Sequence, residues 1–268
     1  MNPSELFEAG QLQAAIDSQI QEVRSRPADM AARLFLFELL LYIGDIDRAR
    51  KQIDVLNYEN PKAQAAVQMY KFALDAEQKR RRVLDGKETP KSLTAAPEHV
   101  MDRLEALKKY AAGDLAAGDQ LLDQANAAMP SIKATVNGNV VEGLRDADDL
   151  FGTVLEVFGS GGAYCWVALE QVESITMNPP RTPRDVLLIP ANITLRDGPS
   201  GDVVLPALYA GSYASRDDAL RLGRATDWAG DESRPIRGIG GKLFLLGEAG
   251  TSPLLHWREV TIHADATA

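Results

Sequence analysis

The chain has 268 residues, 45% hydrophobic and 25% charged, which is a globular composition with enough apolar side chains for a core in one large domain or two ordinary ones. Its formal net charge of −9 excludes nucleic acid and anionic membrane surfaces as non-specific partners, because both need a basic field. A single cysteine, Cys165, excludes an intrachain disulfide, and with only three scattered histidines (His99, His256, His263) no zinc-ligand spacing can be assembled.

The N-terminus lacks a basic segment followed by an apolar one, so no signal peptide is expected. The longest apolar stretch, residues 34–43, is interrupted by Glu38 and is too short to span a bilayer. A reducing cytoplasmic location is therefore expected.

In chain order, the first segments read as helices. Residues 11–25 carry Leu12, Ala15, Ile16, Ile20 and Val23 on one stripe. Asp29 suits the N-cap of a helix over 30–43, where Leu34, Phe37, Leu40 and Leu41 form a broad apolar face. Residues 47–56 turn Ala49, Ile53 and Leu56 inward, and Pro61 opens a long helix through 83. Residues 85–97, with Gly86, Thr89, Pro90, Ser92 and Pro97, read as a loop before a last helical pair over 98–112 and 115–128.

These helices repeat. Gly10 and Gly44 lie 34 residues apart, as do Leu12 and Ile46, Ala15 and Ala49, and Pro27 and Pro61. Gly113 opens a third copy, since all three glycines are followed by a proline at a distance of 17 residues (Pro27, Pro61, Pro130). A 34-residue period is that of the tetratricopeptide helix–turn–helix unit. Glycine can end one helix in a left-handed cap, and proline stops the next or starts another. The signature Trp and Tyr positions of a strict tetratricopeptide motif are absent.

Beyond residue 130 the chemistry changes. Sixteen of the 21 glycines and all three tryptophans lie there, with Val, Ile, Thr and Pro in short runs. The boundary falls between Met129-Pro130 and Asn137-Gly138. Residues 153–158, 164–169, 172–176, 186–189, 192–196, 242–247 and 254–262 read as strands, and 215–222 as a helix. Strands so closely spaced cannot be joined by helical crossovers, so the sheet is expected to be mainly antiparallel and barrel-like. The fold expected is thus multidomain α and β: a tetratricopeptide-like α-superhelix over 1–130, then a β-rich α+β domain over 131–268.

No catalytic or ligand-binding constellation is complete. Arg237-Gly-Ile-Gly-Gly-Lys242 is glycine-rich, but the Ser or Thr and the helix of a phosphate loop do not follow. Asp146, Asp148 and Asp149 alternate as Ca²⁺ ligands can, yet the twelve-residue loop with its glycine and closing glutamate is missing, and they read as caps of a strand–turn junction. Cys165 sits in a strand pattern without a neighbouring histidine, and the Ser160 turn is not a nucleophile elbow. Lys79-Arg-Arg-Arg82, the only basic run, points around most of a helix and suits a solvated C-terminal end. No cofactor or metal is expected. An enzyme whose carboxylate site draws on Asp146, Asp148, Glu156 and Asp185 stays open as the alternative.

One family pattern runs through most of the chain. The stretch Arg33-Leu-Phe-Leu-Phe37-Glu38-Leu-Leu-Leu-Tyr-Ile-Gly44-Asp-Ile-Asp-Arg48-Ala49 is followed in order by Tyr70, Glu77 and Arg80. Then come Asp146-Ala-Asp148, Leu155-Glu156, Tyr164-Cys-Trp166-Val, Pro180, Arg184-Asp185, Ile189-Pro-Ala191 and Leu205-Pro-Ala-Leu-Tyr209. This order resembles the ImpE/SciE (TagJ) family. Where that family usually has Trp-Ile before the aspartates, this chain has Gly143-Leu-Arg145; where it often has Arg and Gly after them, this chain has Asp149-Leu-Phe-Gly152. The resemblance implies a non-enzymatic accessory adaptor of the bacterial type VI secretion system. Its implied partners are the N-terminal helix of the small contractile-sheath subunit and, through it, the sheath-disassembly ATPase. The matched residues Arg33, Phe37, Glu38, Arg48, Tyr70, Glu77, Arg80, Asp146, Asp148, Glu156, Tyr164, Trp166, Asp185 and Tyr209 are the candidates for partner binding. A homo-oligomer built on the β-rich part stays open.

Overall fold

The computed structural model describes residues 1–230 and 235–264. Seven helices come first: α1 (Pro3–Glu8), α2 (Leu12–Ser25), α3 (Met30–Tyr42), α4 (Ile46–Ile53), α5 (Pro61–Leu84), α6 (Glu98–Ala111) and α7 (Leu115–Ala128). The matched glycines close three of them identically. Gly10, Gly44 and Gly113 have φ of +78°, +65° and +81°. In each case the glycine N–H and the next N–H donate back into the last turn, as in Gly44 to Leu41 O at 3.0 Å and Asp45 to Leu40 O at 3.1 Å. This is the double bond of a left-handed C-cap, a backbone shape that costs glycine little. At Gly44 a Cβ would also stand 2.5 Å from the Tyr213 ring. Asp29, Asp45, Asn60 and Asp114 then cap the following helices by accepting first-turn N–H groups.

Helices α1 to α5 pack in succession, and α6 packs on α7; on α2 to α4 the faces read from sequence are inward, with Leu12, Ala15, Ile16, Phe37, Leu40, Ala49 and Ile53 all buried. The long α5 continues past α4 and lays its C-terminal half on the sheet. Among the described residues no helix is long and apolar enough to cross a membrane.

The remainder is an antiparallel β structure. Its strands are β1 (Lys133–Val136), β2 (Asn139–Glu142), β3 (Leu144–Asp146), β4 (Val154–Gly159), β5 (Ala163–Ala168), β6 (Val172–Met177), β7 (Leu188–Leu195), β8 (Ser200–Pro206), β9 (Thr226–Ala229), β10 (Arg237–Gly240), β11 (Leu243–Leu246), β12 (Thr251–Pro253) and β13 (Glu259–Ile262). Eight form one sheet in the order β2-β1-β13-β6-β7-β8-β4-β5, while β12-β11-β3 and β10-β9 are smaller sheets.

The expected barrel is corrected: the large sheet does not close, because its end strands β2 and β5 do not pair with each other. The free edge of β5 is taken instead by Lys91, whose N–H donates to Tyr164 O at 2.8 Å and whose carbonyl accepts from Trp166 N–H at 3.2 Å. Several finer expectations also shift. The runs expected over 186–189 and 192–196 merge into one strand, β7, with Val186 instead in a 3₁₀ turn, and β7 carries Pro190 without loss because β6 ends opposite Ala191. The expected strand over 254–262 is a 3₁₀ turn, Leu254–His256, followed by β13, and the helix over 215–222 shrinks to α8 (Asp218–Arg221). Strands β1 and β2, absent from the expected set, form a hairpin on Asn137-Gly138, with φ of +50° and +84°.

Two apolar cores result. One face of the sheet encloses Leu155, Val157, Cys165, Val167, Ile175, Ile193, Phe244 and Trp257. The opposite face of β4 and β5 gives Val154, Phe158, Tyr164 and Trp166 to a second core shared with α2–α6. The strands between the two cores are therefore buried on both sides, which is why β4 is apolar on both faces except at Glu156.

Candidate functional site

Where α5 crosses β4 and β5, the family-pattern residues meet in a buried charge network. Arg80 reaches in from α5 and grips Glu156 of β4 with Nε and Nη2, each 2.7 Å from a carboxylate oxygen. Its Nη2 also donates to Leu208 O at 2.9 Å. Tyr164 of β5 donates to Glu156 Oε1 at 2.6 Å and accepts from Trp166 Nε1 at 2.7 Å. Lys242, just before β11, places its ammonium 2.7 Å from Glu156 Oε2 and 3.2 Å from Asp146 Oδ2. The same ammonium lies 4.5 Å from the Phe151 ring centre. Asp146 accepts further bonds from Tyr209 OH at 2.7 Å and Asp148 N–H at 2.9 Å. Asp148 in turn holds Leu150 N–H, Gly238 N–H and Arg237 Nε, each at 2.9 Å. Arg80, Asp146, Asp148, Glu156 and Lys242 are all at most 4% exposed.

Three carboxylates thus face three cations, of which Arg237 is part-exposed at the edge of the network, so the charges balance. That balance is the condition under which ions persist in an apolar interior. Burial pushes the Glu156 carboxyl up, but Arg80 and Lys242 outweigh it and hold it well below the ordinary carboxylate range. Burial likewise works to lower Lys242, and Asp146 and Glu156 overcome it, so the ammonium stays charged. Asp146 is pushed up by burial against the pull of Lys242.

A pH dependence follows with a definite sign. Glu156 binds a proton more readily unfolded, near 4.5, than folded, so its stabilisation is complete above that pH and is lost on acidification. Asp146 has the opposite sign and partly offsets the slope. Comparing variants isolates Glu156: thermal unfolding from pH 6 to 3 should fall less steeply for Glu156→Gln than for the wild type. Parallel profiles would contradict this assignment.

The arrangement can anchor and orient, and its polar atoms are engaged within the chain. The positions of Ca²⁺ or phosphate are filled by protein: Asp146 and Asp148 are bonded to cationic side chains and backbone N–H groups, and Lys242 is bonded to carboxylates. Among the described residues no cluster of three or more His, Cys, Asp or Glu side chains could hold a metal ion.

Residues 138–261, from β2 to all but the last residue of β13, match the family model described as ImpE protein. Over 260 residues the chain is 36% identical to the type VI secretion system accessory component TagJ of Pseudomonas aeruginosa PAO1, covering 97% of this chain and 90% of that one. The chain belongs to the ImpE family. Its fold is shared with the crystal structure of protein VPA1032 from Vibrio parahaemolyticus, at a TM-score of 0.88 and 22% identity over 98% of both chains.

Glu38, Tyr70 and Asp185 of this ImpE-family chain gather in a second, separate cluster around Arg184. Glu38 of α3 pairs with Arg184, whose guanidinium lies 5.0 Å from the Tyr70 ring centre. Tyr42 OH donates to Pro183 O at 2.6 Å. Asp185 accepts the Arg181 and Thr182 N–H groups at 3.0 Å, which shapes the turn that delivers Arg184. Asp185 is therefore apart from Asp146, Asp148 and Glu156. Phe37 is core, 6.0 Å from Tyr70 between ring centres. Arg33 donates to Pro27 O and Gln52, Arg48 pairs with Asp45, and Glu77 accepts from Arg80 and Arg81. The basic run is spent inside the chain: Lys79 donates to Gly162 O, Arg81 to Gly44 O, and Arg82 pairs with Glu88.

Sequence reasoning missed Lys242 and Arg237 as members of the network, having weighed them only as a phosphate loop. The signal available was a lone lysine entering the apolar run Leu243-Phe-Leu-Leu246, which needs a buried counter-ion.

Proposed function

We propose that this chain is a non-enzymatic accessory component of a bacterial type VI secretion system, acting in the cytoplasm as an adaptor. In this reading residues 1–130 are a tetratricopeptide-like superhelix and 131–268 a β-rich α+β domain. Together they bind the N-terminal helix of the small contractile-sheath subunit and link the sheath to its disassembly ATPase. The observation that carries the reading is the 36% identity to the Pseudomonas aeruginosa accessory component over 97% of the chain. The geometry supports it, since the family-pattern charges tie helices to sheet. The enzyme alternative finds no such support, because Asp146, Asp148, Glu156 and Asp185 each accept bonds from the chain itself.

Stacked helices offer grooves that suit an amphipathic helix. Three or four apolar anchors at about 1.5–3 kcal/mol each supply roughly 5–12 kcal/mol. Association costs about 4 kcal/mol or more, which leaves an affinity no tighter than about micromolar. A synthetic peptide of the sheath subunit's N-terminal helix should therefore bind the full chain with a Kd in the micromolar range. No retention at tens of micromolar would remove the reading.

A further inference from the structure

Between the helices and the loop after β8 lies a cleft of about 70 Å³. Its walls come from both halves of the chain: Leu41, Ile46 and Leu74 from the helices, Leu187, Pro206 and Leu208 from the β side. Arg80 and Tyr209 of the charge network border it, so its floor is held in place by the ion pairs described above.

Size decides what class of occupant fits. Pockets for cofactors and drug-sized ligands run to about 300–1,000 Å³, several times this volume. A single water needs only about 10–15 Å³ and several polar partners, whereas these walls are mainly aliphatic. One aliphatic side chain of the size of Leu, Ile or Met is the object that matches.

Charge decides what flanks it. In a chain of net charge −9, the cleft is lined by two part-exposed arginines, Arg81 and Arg221. Arg81 lies 4.1 Å over the Tyr213 ring, and Glu77, the carboxylate in the lining, is neutralised by Arg80 and Arg81. Arg221 pairs with Asp218, and the part of its side chain left exposed at the cleft can donate to an incoming carboxylate as well.

We infer that this cleft is the anchor pocket of the adaptor. It takes one Leu, Ile or Met side chain of a partner helix, while an Asp or Glu one turn away on the same helix meets Arg221. Residues three or four apart on a helix present side by side, which supplies that pairing. An aliphatic anchor seated in a rigid pocket and ringed by polar contacts has the anatomy of a binding hot spot. This inference rests on the adaptor reading and places its partner on the structure.

The test uses the full chain and the sheath subunit's N-terminal helix as a labelled peptide, with binding read by fluorescence anisotropy. Ala73→Leu grows a side chain into the cleft from α5, and Arg221→Gln removes the charge. Each should weaken binding at least tenfold, with the melting temperature of Ala73→Leu unchanged or raised. Wild-type binding that both variants retain in full overturns the pocket and leaves the adaptor reading standing. A wild-type chain that does not bind the peptide overturns both. Should Ala73→Leu fail to fold, retained binding by Arg221→Gln alone overturns the carboxylate contact and the pocket with it.

Discussion

Replacing Lys242 by methionine is expected to lower the stability of the chain by about 3–5 kcal/mol, the cost of leaving a buried ion without its partner. Methionine keeps the length and the apolar stem of lysine, so the change removes charge and little else. Glu156 keeps Arg80 and Tyr164, and Asp146 keeps Tyr209 and one backbone N–H. Two carboxylates would then face one remaining close cation in an interior closed to solvent. The loss should appear as a lower urea midpoint with an unchanged slope. The cycle can be closed: adding Asp146→Asn to Lys242→Met restores the charge balance and should recover a large part of the loss, because residues in one network couple. A Lys242→Met chain that unfolds at the wild-type midpoint would show that the ammonium carries no such burden.

The part of the fold legible in the sequence is the part governed by local physics. Gly10, Gly44 and Gly113 announce helix ends because a left-handed cap is hard for other residues, and the structure places one at each. Leu12, Ala15, Ile16 and Val23 announce a helix face because burial selects one stripe. The strands at Val154–Gly159 and Ala163–Ala168 are legible for a related reason, being largely apolar runs separated by a glycine-rich turn. By contrast β9, β10 and β12 carry little periodic signal, since their order comes from loops and side chains remote in sequence. Gly238, for instance, is fixed by Asp148, 90 residues earlier. Whether a sheet closes is likewise not a local property; here one residue of the 85–97 loop, Lys91, occupies the edge a barrel would have needed.

The candidate site divides in the same way. Family resemblance singled out Arg80, Asp146, Glu156, Tyr164 and Tyr209, but nothing local to them says that they touch. Arg80 and Glu156 are 76 residues apart, Lys242 and Asp146 are 96. Ion pairing satisfies charge rather than spacing, so the partner of a buried carboxylate cannot be read from periodicity. The composition hinted at it only indirectly, through ionisable residues set in runs otherwise apolar.

The same network bears on how the chain divides. Residues 1–130 produced without the rest are expected to show no cooperative unfolding transition, while the intact chain unfolds in one step. The helices do not own their core: Val67, Leu74, Val83 and Leu104 share it with Phe151, Val154, Phe158, Trp166, Leu188 and Leu208. Exposing even four of these side chains costs about 6–12 kcal/mol at about 1.5–3 kcal/mol each. That is comparable to the entire net stability of an ordinary domain, about 5–15 kcal/mol. The severed helices would also present Arg80 without Glu156, and Glu38 without Arg184. Circular dichroism and calorimetry on the fragment and the intact chain would decide the matter. A fragment with a sharp transition of its own would mean that the helical half is an independent domain, and that the ion pairs merely dock it. A single transition in the intact chain, with none in the fragment, means that the cleft between helices and sheet exists only when the two are folded together.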